Sequence, residues 1–325
     1  MMRSPAPAFW RGGICLAIAL GIAVARAQPV SLPGSWSTKA PLPMARNEVA
    51  AVALDGKIYL LGGSYPGQKY DVADNGEYDP ATDRWRPRAP MPRGLNHVGA
   101  AALNGKIYVL GGFQGSNHKA VNDGAFEYDP TTDTWRSLPP LSSPRGSVAV
   151  AAVAGKVHAL GGRKNETDVV TTHQVYDPAS GRWSDAAPLP KGRDHMAAVA
   201  FDGKIHLVGG RFGANEDMTG LHDIYDPATD TWTPAPPVPT PRGGGAGTLF
   251  RDMIVFLGGE DDHRTYDENE AFNVKTNRWL RLAPMPTGRH GFGAAALGDT
   301  LYIATGARGV GAGNPTAELL VFHLP

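Results

Sequence analysis

The heptapeptide KIYLLGG at residues 57–63 recurs along the chain and decides its fold. Five later segments repeat its pattern of strand-forming residues ending in glycine: KIYVLGG (106–112), KVHALGG (156–162), KIHLVGG (204–210), MIVFLGG (253–259) and TLYIATG (300–306). A constant period, here about 49 residues, is typical of architectures in which each repeat is one supersecondary unit. The sequence therefore predicts six copies of one unit.

Each copy lies within a constant series of strand and turn signals. A stretch of small apolar residues and a two-residue turn such as Asp55-Gly56, a strong hairpin signal, come before it. An aromatic and a polar residue follow it, as in Tyr78-Asp79, and a tryptophan comes about seven residues later. These tryptophans are Trp85, Trp135, Trp183, Trp232 and Trp279. Four short antiparallel strands per unit, repeated radially, predict the blades of a β-propeller.

The two ends of the array are out of phase. The last repeat stops after Phe322-His323, before its tryptophan strand, whereas Trp36 belongs to an additional strand ahead of the first repeat. In a circular array the Trp36 strand can complete the final blade. We therefore predict an all-β propeller of six blades, closed by this strand. The expected blades are approximately 44–91, 92–141, 142–190, 191–239, 240–286, and 287–325 plus 34–43.

Diglycine, aromatic and tryptophan at this period resemble the kelch repeat over residues 34–325. The resemblance implies a six-bladed kelch β-propeller with four antiparallel strands per blade. This family includes galactose-oxidase-like copper-radical enzymes, sialic-acid mutarotases and many domains that only bind proteins or glycans. The fold therefore leaves the function open.

The beginning of the chain is typical of a secretory signal. Two arginines precede or border the apolar run 14–25, and Ala25-Arg26-Ala27 offers the small residues of a cleavage site. The run is shorter than the ~20 residues that span a bilayer. We therefore predict a signal peptide at residues 1–27 and a single propeller domain at 28–325. The mature protein should be exported, periplasmic or secreted, without membrane insertion after cleavage.

Composition narrows the classes of partner and cofactor. The chain has 31 basic and 31 acidic residues, and the predicted signal peptide contributes three of the arginines. Nucleic-acid binding calls for clustered basic charge, so we expect none. Cys15 is the only cysteine, and it precedes the predicted cleavage site. The mature chain could then form neither disulfides nor the tyrosine–cysteine cross-link of the copper-radical oxidases. We expect a monomer without metal or cofactor.

Strand polarity predicts where a site would lie. In an up-and-down sheet the first strand begins where the second ends. The loops from strand four to strand one and from strand two to strand three therefore share one face, the top face. Arginines recur where strand one begins, with Leu95 in the second unit: Arg46, Arg145, Arg193, Arg242 and Arg289. Arginine suits carboxylates and sugar hydroxyls, but recurrence in nearly every blade favours a scaffold role, in which each arginine ties its blade to the neighbour's backbone.

Residues that break the symmetry of the top face are stronger ligand candidates. Beside the arginines and after the diglycines stand Asn47, Asn96, His97, Arg163, His195, Arg211, Glu260 and His290, with Glu48 and Asp194 among their neighbours. Together with the recurring arginines, they form a predicted rim for a glycan or for a protein or peptide ligand. The alternative is a solvated loop face without a ligand.

Two functions remain open. We favour a binding or scaffold propeller without catalysis. The alternative rests on GGEDDHR (258–264), which is similar to the stretch in sialic-acid mutarotases where a glutamate follows a diglycine-like turn and an arginine follows the glutamate. The resemblance implies that Glu260 transfers a proton while Arg264 holds an acidic sugar, without a cofactor. His158 and His206 stand where other units have tyrosine, so we interpret them as packing residues and not as ligands.

Overall fold

The computed structural model describes residues 33–67, 71–115, 120–213, 217–311 and 313–325, together with Met1. The predicted signal peptide lies outside the described residues, apart from Met1. All described strands belong to the compact unit Leu32–Pro325. Among the residues that the structure describes, no helix has the length and apolar character needed to span a bilayer.

The strands follow one another in six groups after an initial strand, β1 (Ser35–Lys39). Blade 1 contains β2 (Ala50–Leu54), β3 (Lys57–Leu61), β4 (Asn75–Asp79) and β5 (Arg84–Pro87). Blade 2 contains β6 (Gly99–Leu103), β7 (Lys106–Leu110), β10 (Ala125–Asp129) and β11 (Thr134–Ser137), with a short ribbon of β8 (Phe113–Gln114) and β9 (Ala120–Val121) in its loop. Blade 3 contains β12 (Ala149–Val153), β13 (Lys156–Leu160), β14 (His173–Asp177) and β15 (Arg182–Asp185).

The remaining blades repeat this order. Blade 4 contains β16 (Ala197–Phe201), β17 (Lys204–Val208), β18 (His222–Asp226) and β19 (Thr231–Pro234). Blade 5 contains β20 (Ala246–Phe250), β21 (Met253–Leu257), β22 (Asn269–Asn273) and β23 (Arg278–Arg281). Blade 6 contains β24 (Gly293–Leu297), β25 (Thr300–Ala304) and β26 (Leu319–His323).

Strand β1 completes blade 6. It pairs antiparallel with β26, so that Trp36 lies opposite Phe322, and the sheet order is β1-β26-β25-β24. The first strands of neighbouring blades pack against one another, including β2 against β24 across the closure. The six-bladed all-β propeller and its closure by the Trp36 strand are thereby confirmed.

The recurring tryptophans tie each blade to the one before it. Each packs on an aromatic residue of its own strand three, as Trp85 does on Tyr78 at 5.2 Å between ring centroids. Each indole N–H also donates to a carbonyl in the Pro-rich segment that leaves the preceding blade, as from Trp85 to Ala40 at 3.0 Å. The same bond joins Trp36 to Ala283 at 2.9 Å, so the closing junction uses the same contacts as the others. Tryptophan suits such a junction because its large ring packs against apolar neighbours while its indole N–H donates a hydrogen bond.

The diglycines form a second tie between blades. Gly62 and Gly63 have φ of +64° and +104°, and a Cβ on Gly63 would lie 2.5 Å from the carbonyl oxygen of Asn47. Only glycine tolerates both this conformation and this close approach. The N–H of Gly63 donates to the carbonyl of Leu95 in the next blade at 2.9 Å, and the series ends with Gly306 donating to Arg46 at 3.0 Å.

His158 and His206 form buried pairs inside their blades. Nδ1 of His158 lies 2.9 Å from Nε2 of His173, and His206 pairs in the same way with His222. Burial lowers the pKa of His158 to about 3 and that of His206 to about 4. The ring of His222 packs edge-on against Phe272 of the next blade, 4.7 Å between centroids. These contacts agree with the interpretation of His158 and His206 as packing residues.

Candidate functional site

The recurring arginines lie inside the blades. Arg145, Arg193, Arg242 and Arg289 have no exposed surface, and Arg46 is 3% exposed. The Arg242 guanidinium donates to the carbonyls of Gly258, Thr240 and Phe256 at 2.6–2.9 Å. These acceptors belong to its own blade or the loop leading into it, so the arginine side chains do not reach the neighbour's backbone as expected. The blade-to-blade contact is made instead by the arginine's own carbonyl, which accepts from the preceding diglycine.

Carboxylates and an amide on strand three complete these buried arginine sites. Glu270 Oε2 lies 2.5 Å from Arg242 Nη1, and Asp223 Oδ2 lies 2.8 Å from Arg193 Nη2. Gln174 plays the corresponding part for Arg145 at 2.7 Å. Arg289 donates to Thr305 O at 3.2 Å and to Glu318 at 2.9 Å, while its Nε has no hydrogen-bond partner among the described residues. Because Arg145, Arg193, Arg242 and Arg289 are fully buried and held by partners of their own blades, we assign them to the scaffold and not to the candidate ligand surface.

Six equivalent residues surround the axis at the top face, each two positions after an arginine position. All six have positive φ, and we call them the axial residues: Glu48, His97, Ser147, His195, Gly244 and Gly291. Their backbones link neighbouring blades, as in the bonds from His97 N to Glu48 O at 3.1 Å and from Glu48 N to Gly291 O at 2.6 Å. The repeat therefore directs six side-chain positions to one point, and four of them hold polar groups.

Glu48 connects two histidines on its side of the axis. Its carboxylate lies 2.9 Å from His97 Nε2 and 3.3 Å from His290 Nδ1. Burial raises the pKa of the Glu48 carboxyl, but the two imidazoles reverse this and hold the pKa well below its ordinary value. For His290, burial lowers the pKa, while the hydrogen bond and charge of Glu48 raise it above its ordinary value overall. The Glu48 carboxylate therefore favours the protonated form of His290, and the imidazoles favour the ionised form of Glu48.

Glu260 lies on the other side of His290. Its Oε2 is 3.4 Å from His290 Nε2 and accepts the backbone N–H of Gly311 at 2.8 Å. Burial raises the pKa of this carboxyl. A Cβ on the axial Gly244 would lie 3.7 Å from Glu260 Cγ and 3.6 Å from His290 Cβ. The glycine therefore leaves room beside both side chains.

On the opposite side, Asp194 organises three basic groups. It is fully buried and contacts Arg163 Nε at 2.9 Å, Arg211 Nε at 3.5 Å and His195 Nδ1 at 3.0 Å. Arg211 Nη2 lies 3.0 Å from His195 Nε2. Burial, followed by the charge of Arg211, lowers the pKa of His195 well below its ordinary value. His195 is therefore neutral, donating from Nδ1 and accepting at Nε2, and its ring lies 4.9 Å from that of His97.

The axial residues line the top-face end of a cavity of about 180 Å³. Below them its walls are alanine, glycine and valine from the first strands, such as Ala100, Val150 and Gly247. This volume is smaller than the ~300 Å³ of a typical small-molecule pocket. The cavity is therefore too small to enclose a whole ligand of that class.

Asn96 supports an axial residue, whereas Asn47 and Arg264 make contacts elsewhere. Asn96 donates to Asp71 Oδ1 at 2.7 Å, and its Oδ1 lies 2.5 Å from His97 Nδ1. Asn47 is buried, and its backbone pairs with Ser64. Arg264 is exposed, pairs with Glu268 at 2.9 Å and stacks on Tyr266. Arg264 and Glu260 form no ion pair with each other in the described part of the chain.

Sequence analysis did not predict that Ser147, Gly244 and Gly291 occupy the positions equivalent to Glu48, His97 and His195 around the axis. The available signal was the constant offset of two residues after each arginine position, which Leu95 partly obscures in blade 2. No group of three histidine, cysteine or carboxylate side chains among the described residues is placed to hold a metal ion.

Comparisons with known proteins agree with this architecture. A model of the KLHDC2/KLHL20/DRC7 Kelch-repeats domain matches residues 141–306, and two Kelch motif models match residues 95–142 and 45–92. No curated protein matches the sequence. The solved structure entitled "Structure of YjhT" superposes with a TM-score of 0.74 at 17% identity, covering 87% of this chain and 96% of that chain. At that identity the superposition shows the fold alone. The chain belongs to the kelch-repeat family of β-propellers.

Proposed function

We propose that the chain is an exported kelch propeller that binds a terminal sugar residue of a glycan at its axial residues. The observation that carries the proposal is the asymmetry of these six equivalent positions, where Glu48, His97, Ser147 and His195 face two glycines. A scaffold role alone would favour the same residue in every blade. A ligand without sixfold symmetry calls for different groups around the axis.

The chemistry of the axial residues suits sugar hydroxyls. A hydroxyl both donates and accepts; the Glu48 carboxylate offers acceptor oxygens, and the buried Ser147 hydroxyl has no hydrogen-bond partner among the described residues. The ring nitrogens of His97 and His195 contact Glu48, Asn96, Asp194 and Arg211, so these histidines position their neighbours beside the cavity. Glu48 keeps 16% of its side chain exposed, and His97 keeps 8%, so both reach the cavity mouth. Aromatic and apolar anchors, which dominate protein and peptide interfaces, are lacking among the cavity's axial side chains. A glycan is therefore favoured over a peptide.

Glycan and peptide arrays test this proposal. Glu48→Gln keeps the size of the side chain but removes the charge that orients His97 and His290. We expect glycan capture about tenfold weaker or more. The matched control is Asp55→Asn, the same chemical change in an exposed hairpin turn between β2 and β3, and it should leave capture unchanged. Equal capture by Glu48→Gln and the wild type, or capture of peptides only, would contradict the proposal.

A mutarotase is the second candidate, because Glu260 combines a pKa raised by burial with a neighbouring histidine. Such a carboxyl could exchange a proton with a sugar's ring or anomeric oxygen. Arg264 does not contribute in this arrangement, since it pairs with Glu268. Arg211 lies closer to the axial residues and its charge acts on Glu260.

NMR measurement of anomer equilibration in acidic sugars tests the second candidate. Glu260→Gln should abolish any rate above the uncatalysed one, whereas Asp262→Asn, on the exposed part of the same loop, should retain it. A wild-type rate equal to the uncatalysed rate would remove the mutarotase from consideration and leave the binding proposal intact.

A further inference from the structure

A second cavity lies away from the axis, on the top-face side of blade 1. Its volume is about 430 Å³, within the range of small-molecule sites. Leu42, Met44 and Trp85 contribute apolar surface, and Arg46, Tyr65 and Asp74 contribute polar groups. None of these residues is an axial residue, so the cavity, which we call the blade 1 pocket, is separate from the candidate glycan site.

The blade 1 pocket exists because blade 1 has glycine at the second position of strand three. The other five blades fill this position with larger side chains: Phe126, Gln174, Asp223, Glu270 and Leu320. A Cβ on Gly76 would meet Trp85 at 3.5 Å and Arg46 Nη2 at 3.6 Å, which is ordinary van der Waals contact. The backbone there is not left-handed, so local geometry does not require glycine. What the glycine provides is space beside a buried guanidinium.

The Arg46 guanidinium is incompletely satisfied in that space. Its Nη2 donates to Leu60 O at 3.2 Å, and Nη1 lies 3.2 Å from Asp74 Oδ2 in an ion pair too poorly aligned for a hydrogen bond. Nε has no hydrogen-bond partner among the described residues. Arg46 is only 3% exposed, and an unpaired buried donor is costly.

Other blades show which group is missing. In blade 5 the residue equivalent to Gly76 is Glu270, whose carboxylate lies 2.5 Å from Arg242 Nη1. In blade 3 Gln174 places an amide oxygen 2.7 Å from Arg145 Nη1. In blade 6, where Leu320 holds this position, Glu318 pairs with Arg289 at 2.9 Å from the place that Asp74 has in blade 1. Blade 1 lacks the strand-three oxygen of blades 3 and 5, and its Arg46 makes no aligned hydrogen bond to Asp74 such as Arg289 makes to Glu318.

The charges of the lining favour an anion. Arg46, Arg86 and Arg88 border the pocket, with Asp74 as the one carboxylate among its lining residues. Arg86 is paired with Glu77 at 2.6 Å and Arg88 with Asp133 at 3.3 Å, so Arg46 is the guanidinium that an anion would meet. Tyr65 donates its hydroxyl to Asp74, which engages that carboxylate further. Met44 lines the pocket and is 52% exposed. An incoming molecule would cover it.

We propose that the blade 1 pocket binds a small carboxylate with an apolar body. The carboxylate takes the place that the Glu270 carboxylate has in blade 5 and accepts hydrogen bonds from Arg46. The apolar body lies against Leu42, Met44 and the ring edge of Trp85. A bidentate or charge-assisted contact with arginine supplies selectivity for the carboxylate over a hydroxyl.

Titration with phenylacetate and with 2-phenylethanol, followed by ligand-observed NMR and calorimetry, tests the proposal. Phenylacetate should bind, and the alcohol, which has the same ring but no carboxylate, should bind about tenfold more weakly or worse. Gly76→Glu places an internal carboxylate beside Arg46. It should abolish phenylacetate binding and raise the melting temperature of the ligand-free protein.

Gln174→Glu is the matched control, because it introduces the same side chain at the equivalent position of blade 3. It should leave phenylacetate binding unchanged. Three outcomes would overturn the proposal: no binding of phenylacetate at millimolar concentration, equal binding of the alcohol, or undiminished binding to Gly76→Glu. None of these outcomes bears on the axial residues, which are tested separately with glycans.

Discussion

Arg242 tests the assignment of the recurring arginines to the scaffold. Its guanidinium and the Glu270 carboxylate are both buried, at 0% and 1% exposure of their side chains, and lie 2.5 Å apart. Arg242→Leu leaves Glu270 as a buried charge and removes donors from the carbonyls of Gly258 and Phe256. Breaking a buried pair from one side costs about 3–5 kcal/mol. Thr240 Oγ1 still donates to Glu270 at 2.9 Å, which keeps the expected loss within that range.

Blade 2 supplies the compensating change. It has Leu95 in the arginine position and Phe126 in the position of Glu270, and both belong to one apolar cluster. The double variant Arg242→Leu/Glu270→Phe transfers this pair to blade 5. Because no charge is then left buried, we expect the double variant to be more stable than Arg242→Leu alone and to regain most of the loss.

Urea denaturation followed by tryptophan fluorescence measures both variants, with the free energy of unfolding taken by linear extrapolation. Two results would refute the reasoning. One is a loss below about 1 kcal/mol for Arg242→Leu, since a buried ion pair cannot be broken so cheaply. The other is a double variant as unstable as the single one. If Arg242→Leu kept full stability but lost glycan capture, Arg242 would be a ligand residue after all.

Two further predictions concern closure and acid stability. Trp36→Ala removes the ring that packs 4.8 Å from Phe322 and the bond to Ala283, and it should cost about 2–4 kcal/mol in urea denaturation, similar to Trp183→Ala in blade 3; a loss below about 0.5 kcal/mol would mean that β1 does not stabilise the ring. Burial lowers the pKa of His206 to about 4 and of His222 to about 3, so the unfolded chain binds protons at a higher pH than the folded one. Stability present above pH ~6.5 is therefore lost as the pH falls toward 4. His206→Val/His222→Asn copies Val255 and Asn269 of blade 5 and should make this loss shallower between pH 7 and 4.5; an unchanged pH dependence would exclude these histidines as its source.

The fold was predictable because its signals are local and repeated six times. Hairpin turns, diglycines and tryptophans each specify a short segment, and their common period makes the assignment of one strand support the others. The closing strand was also predictable, because the orphan Trp36 and the incomplete last repeat have one joint solution. The structure adds that Trp36 makes the same indole-to-carbonyl bond as the interior tryptophans.

The orientation of the arginines was not predictable in the same way. Whether a guanidinium turns toward solvent or into the blade depends on its partner on strand three, 28 residues further on for Arg242 and Glu270. The neighbours of Arg242 in sequence carry no such information. Arg264 illustrates the same limit, because the resemblance of GGEDDHR implied that it holds the sugar on which Glu260 acts, whereas Glu268 and Tyr266 hold its side chain.

Departures from the repeat locate both proposed sites, and in each case the departure is a glycine. In a symmetric array, a position that holds a side chain in most blades and glycine in one or two creates space whose walls are already built by the scaffold. Gly76 does this beside Arg46, and Gly244 does it beside Glu260 and His290. A substituted polar residue, by contrast, usually finds a partner within its own blade, as His206 does in His222. In a propeller of this kind, a missing side chain next to a buried charge is therefore a stronger indication of a ligand than an additional charge at the surface.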